Sequence, residues 1–293
     1  MFKALLSFTF FRAAGGFGTF ILMPALAWSS SKFWLPDLYV QYQQDLAHMT
    51  SPEAVMSANQ NELQNLSKTR IEPHPTRAAS ISFAQAREVL KKLKDHPVAA
   101  PSQVHHYDPE NRFGLCFGRA LYVHLELLRR GVQKEAIKKV FAVGPMKATQ
   151  VDWQFHVATA VMGPGQTWWV IDAALPEPVR LEFWWRALWS LSTDQKLRLY
   201  VTEPNRIGPS GWRYNVQPNG LRSYNGYFED LFKYYKENPL PPTEKFSSLI
   251  TKSRRQSGPA PSSQGGAKLP NSPDLSRQIP LDFLRLNLDL SPR

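Results

Sequence analysis

The sequence predicts an α+β domain in which a helix bearing a lone cysteine packs on an antiparallel sheet. Three observations predict it: two helical periodicities in succession, three β-like runs joined by short Gly/Pro turns directly after them, and a return to helical spacing beyond. A chain of 293 residues, 43% of them hydrophobic, is long enough to bury one substantial core.

The first residues carry Lys3 and Arg12, then an apolar stretch from Ala13 to Met23, Pro24 and the small-residue pattern Ala25-Leu26-Ala27. This order reads as a secretory signal peptide over 1–27, cleaved after Ala27. Only about fifteen residues separate Arg12 from Ala27, whereas a bilayer span takes roughly 20 apolar residues. The expectation is a secreted or periplasmic protein with no stable membrane span after cleavage.

Residues 28–75 hold two short amphipathic stretches, 38–49 and 54–66, among Pro, Asn, Gln and Ser, and form a helical leader with little core of its own. Ser82-Phe83-Ala84-Gln85 is a capping box, and Val89, Leu90 and Leu93 then recur at helical spacing, which predicts a helix over 83–95 ended before Pro97. Segment 115–130 has Phe117, Leu121, Leu125 and Leu128 on one face and Gly131 as a stop signal, so Cys116 falls in the first turn of a helix. Strands follow at 139–144, 153–162 and 168–171, separated by Gly144-Pro145 and Gly163-Pro164-Gly165. Helices at 181–191 and 228–235 complete a domain over 76–238. Beyond it, 239–293 is a Pro/Ser/Gly-rich tail, expected to be flexible over 239–278, with alternating Leu284, Leu286, Leu288 and Leu290 as a possible terminal strand.

A single cysteine in an exported chain excludes an internal disulfide. The plain alternative is a buried small hydrophobe; its surroundings favour chemistry. A helix N-terminus lowers a thiol pKa, because unpaired N–H groups and the macrodipole favour negative charge there. His156 lies mid-strand in Trp153-Gln154-Phe155-His156-Val157-Ala158, facing away from Phe155 and Val157 and toward the Cys helix if the sheet packs there. Asp172 ends the next strand, where the hairpin brings it alongside His156 to hold the imidazole tautomer. Cys116, His156 and Asp172 are therefore the candidate nucleophile, base and orienting acid. Arg119, one turn on from Cys116, reads as structural.

Other features carry less. Adjacent His105 and His106 diverge and lack a second cluster at metal-ligand spacing. His124 is eight residues past Cys116, about 12 Å along a helix and too far to be its base. Trp184, Trp185 and Trp189 beside Arg180 and Arg186 read as a core-packing helix rather than a nucleic-acid or membrane platform. No phosphate-cradling Gly-rich loop is present, and nucleic acid is not an expected partner. The net charge of +11, of which residues 1–27 hold two units through Lys3 and Arg12, favours acidic partners without specifying chemistry.

The three motifs together resemble the protein glutaminases, a family of transglutaminase-like cysteine enzymes. Cys116-Phe117-Gly118-Arg119-Ala120 is similar to their nucleophile motif, Trp153 to Ala158 to their histidine strand, and Val170-Ile171-Asp172-Ala173-Ala174-Leu175 to their aspartate segment. The resemblance spans roughly 78–190. It departs from the family at Leu115, where a Gly is expected before the nucleophile, at Leu121 in place of a His, and at Ala173 in place of a Pro. It implies a papain/transglutaminase-like fold and a cofactor-free hydrolase that converts glutamine side chains of proteins or peptides to glutamate and ammonia through a Cys116 thioester. It also implies that 28–75 is a candidate inhibitory pro-segment. The same triad serves transglutaminases and cysteine proteases, and a noncatalytic binding module is the rival from another class. The oligomeric state is left open by the sequence.

Overall fold

A computed structural model describes residues 36–110, 114–148, 151–210 and 224–246. The expected signal peptide, residues 28–35 of the expected leader, and the expected tail beyond 246 with its possible terminal strand lie outside the described residues.

The chain opens with helices α1 (Leu38–His48) and α2 (Pro52–Ser67), capped by Asp37 and Ser51. Helix α3 (Phe83–Lys94) begins with both bonds of the expected capping box: Gln85 N–H donates to Ser82 Oγ at 3.3 Å, and Ser82 N–H to Gln85 Oε1 at 2.8 Å. A short α4 (Val104–Tyr107) precedes α5 (Cys116–Arg129). The sheet follows as β1 (Ile137–Ala148), β2 (Val151–Met162), β3 (Trp168–Ile171), β4 (Val179–Arg180) and β5 (Arg198–Thr202), with α6 (Leu181–Trp189) between the last two strands and α7 (Tyr227–Glu237) closing the series.

The architecture is α+β with a five-stranded antiparallel sheet in the order β4-β3-β2-β1-β5. Helix α5 lies across β2, where Thr159 Oγ1 donates to Ala120 C=O at 2.7 Å. Its buried side includes Phe117, Leu121 and Leu127, packed into one cluster with Val89, Leu90 and Leu93 of α3 and Val140, Phe141 and Val161 of the sheet. At roughly 2 kcal/mol for each large apolar side chain buried, this layer is the main source of stability.

The turn expected at Gly144-Pro145 is not a turn. Strand β1 runs through it as a bulge: Val143 pairs with Phe155, the next paired residue is Met146 with Trp153, and Gly144 takes φ 135°. Proline has no N–H to lose from the ladder at a bulge, and Pro145 C=O still accepts from Thr193 N–H at 3.1 Å. Strands β4 and β5 are additions to the three that periodicity predicts.

The leader is bound more firmly than its composition suggests. Leu38, Tyr42 and Leu66 belong to the main cluster, and buried Asn59 of α2 caps the outer edge of β5. Its Nδ2 donates to Leu197 C=O at 2.9 Å, while its Oδ1 accepts from Leu199 N–H at 2.9 Å. Asp45 of α1 accepts from Arg198 Nε and Tyr200 OH, each at 2.9 Å. At the other end, packing continues past Asn238: Phe246 is buried, and its N–H donates to Arg130 C=O at 2.7 Å. No described helix is long and apolar enough to cross a membrane.

Candidate active site

Two successive left-handed residues, Gly114 (φ 63°) and Leu115 (φ 50°), turn the chain into α5 and set Cys116 at its first position. Gly114 is held on both sides, its N–H donating to Asp108 Oδ2 at 2.8 Å and its C=O accepting from Arg119 Nη2 at 2.8 Å. Arg119 thus has the structural role read from its position, and its charge also favours the Cys116 thiolate. Leu115 provides no side-chain cap, so the first N–H groups of α5 keep their capacity to stabilise negative charge. Gly118 is fixed by packing: a Cβ there would lie 2.4 Å from the Tyr227 ring of α7.

Strand β3 stops at Ile171, opposite Thr159, and Asp172 follows immediately. From Ala158 back toward Val151, β2 has β1 on one side and, among the described residues, no strand on the other. Cys116 reaches this notch, where the His156 side chain and the Val157 N–H both favour its thiolate. The sequence reading put His156 on the face covered by the Cys helix. Thr159, however, meets α5, so by strand alternation Val157 shares that face and His156 projects from the other, beside Trp184 of α6. The thiol and imidazole meet at the strand edge, which the end of β3 leaves uncovered.

His156 Nε2–H donates to Asp172 Oδ2 at 2.6 Å, which leaves Nδ1 for the thiol. Asp172 Oδ2 also accepts from Trp184 Nε1 at 2.8 Å, and Oδ1 from Ala174 N–H at 3.0 Å. The indole rings of Trp153 and Trp184 lie 6.3 Å and 6.0 Å from the imidazole, inclined to it by 27° and 31°. Cys116, His156 and Asp172 are 8%, 8% and 7% exposed, so their mutual charges are weakly screened.

Burial alone would raise the Cys116 thiol. The hydrogen bond and charge of His156, the charge of Arg119 and the Val157 N–H outweigh it and lower the thiol below its ordinary value. Burial would likewise lower His156, but the Asp172 charge and hydrogen bond, with those of Cys116, raise it. Asp172 is driven up by burial and down, decisively, by His156, Trp184 and Ala174 N–H. Each shift favours the ionised form of its group: thiolate at Cys116, imidazolium at His156 and carboxylate at Asp172.

Two participants were not legible in the sequence. Trp184 read as a core residue, and nothing in its spacing signals that its N–H reaches Asp172. Tyr39 of α1 is 37% exposed, its ring packs edge-on against Phe155 at 6.4 Å, and burial, with the nearby charges of Cys116 and Asp37, pushes its phenol up to about 12. The cavity at the dyad is small, about 10 Å³, between Trp153, His156, Asp172 and Trp184. A larger one of about 530 Å³ lies near the C-terminal end of α5 around His96, Glu126 and Tyr234, and neither Cys116 nor His156 lines it. No family model matches the chain, and neither a curated protein nor a solved structure matches it.

Proposed function

We propose that the protein is an exported cysteine amidohydrolase of papain/transglutaminase-like type that deamidates glutamine side chains in proteins or peptides. The observation that carries the reading is the buried grouping of Cys116, His156 and Asp172, in which His156 favours the thiolate and its Nε2 lies 2.6 Å from Asp172 Oδ2. The glutamine substrate comes from the motif resemblance around these same residues.

In this account the Cys116 thiolate attacks the carboxamide carbon, and the oxyanion takes a hydrogen bond from the Cys116 backbone N–H at the start of α5. The intermediate collapses as the C–N bond breaks and His156 imidazolium gives its proton to departing ammonia. Neutral His156 then takes a proton from water, which attacks the thioester carbon; glutamate leaves and the thiolate–imidazolium pair re-forms. Asp172 holds one tautomer and stabilises the imidazolium throughout.

The test is incubation with a glutamine-rich protein, reading ammonia and the mass change of amide to acid. Wild type is expected to release ammonia and Cys116→Ser to release none. Cross-linking to an amine would indicate a transglutaminase, chain cleavage a protease, and full biological effect from Cys116→Ala a binding module.

A further inference from the structure

The edge of β2 beside Cys116 offers more than a place for the sulfur. Strand β2 pairs with β1 along its length, but β3 covers only Thr159 to Met162. Gly163 N–H donates to Thr167 C=O at 2.6 Å across the β2–β3 turn, so by alternation Val157 N–H likewise points away from β1, on the side of Cys116. Backbone groups alternate along an antiparallel strand, so Phe155, two residues on and still in continuous register with Val143, directs its N–H and C=O to the same open side. Among the described residues, nothing pairs with Phe155 on that side. The strand there is partly exposed: Phe155 and Trp153 are half-buried and Gln154 is exposed. An unpaired strand edge is a template for another extended chain, and native folds usually cover it. Among the described residues the edge stays open, immediately beside the candidate nucleophile.

We propose that this edge is the substrate-docking element: an extended glutamine-bearing peptide adds to β2 as a strand, exchanging hydrogen bonds with Phe155 N–H and C=O. In that pose Cys116 occupies the next slot of the same edge, one two-residue repeat away, roughly 6.6 Å at strand rise. A glutamine side chain of the added strand then reaches the sulfur, while its neighbours point alternately across the two faces. The ring of Tyr39 packs against Phe155 and that of Trp153 against His156, so aromatic surface lines this stretch of the edge. Specificity of this kind comes from main-chain pairing, so the substrate class is glutamine in locally unfolded or extended segments rather than in helices. The inference rests on the deamidase reading of Cys116 for the identity of the presented side chain.

The experiment is a series of short blocked peptides with one central glutamine, each N-methylated at a single backbone position. Binding is measured on Cys116→Ser and ammonia release on wild type. Strand addition predicts alternation: methylation of the N–H that faces β2 lowers both affinity and turnover about tenfold, the worth of one lost hydrogen bond, while methylation at the adjacent positions leaves them nearly unchanged. Alternating affinity without ammonia from wild type would keep the docking edge and overturn the deamidase. Ammonia release with equal losses at every position, or none, would overturn the docking edge and keep the deamidase. Absence of both binding and ammonia overturns both.

Discussion

Asp172 shows how much of the candidate site is set by single hydrogen bonds. It accepts from His156, Trp184 and Ala174, which leaves its charge fully used in a water-poor setting. Asp172→Asn keeps the shape but removes the charge that favours imidazolium, and turnover is expected to fall roughly 10²- to 10⁴-fold in steady-state assays. Trp184→Phe keeps most of the packing and deletes one donor to Asp172; a loss of about tenfold in kcat is expected, with KM nearly unchanged and thermal unfolding only slightly earlier. Trp184→Ala adds the cavity of a buried indole, about 3–5 kcal/mol by denaturant unfolding, so the two variants separate positioning from packing. The three motif residues were readable because each sits in a local pattern: a helix start, a strand alternation and a strand end. The role of Trp184 was not, since one indole N–H among several buried tryptophans leaves no trace in spacing.

Among the elements, α3 and β3 follow their sequence signals closely, because a capping box and a short apolar run between turn residues are local codes. The bulge at Gly144-Pro145 and strand β5 depend on partners far away in the chain, Ser192 for one and α2 for the other, and local reading misses both. Asn59 makes the second dependence measurable. Asn59→Ala leaves Leu197 C=O and Leu199 N–H of β5 without their buried partner, and also strips Arg198 of a contact. A loss of about 2–4 kcal/mol is expected in denaturant unfolding, large for one helix residue and diagnostic of an edge cap.

On the scale of the molecule, helix α1, helix α5, strand β2 and the residue after β3 come together around Cys116. Tyr39 brings the expected leader near Cys116, while Asn59 and Asp45 tie it to the sheet. Proteolytic trimming to about residue 76 is therefore expected to raise turnover and lower the unfolding midpoint together; equal activity before and after trimming would exclude an inhibitory role. The pH behaviour has a fixed sign. Asp172 is depressed, so its contribution to stability holds above the ordinary carboxylate range and is lost as pH falls through its native value. His156 is raised, so its contribution is complete below the ordinary imidazole value and is lost as pH rises through the native one. Because Cys116 is the one cysteine of the chain, ultraviolet thiolate absorbance of wild type minus Cys116→Ser reports it alone. The account predicts a thiolate that titrates below the ordinary thiol range and returns upward in His156→Ala; a wild-type sulfur that ionises only at or above the ordinary thiol value, unmoved by His156→Ala, would contradict it.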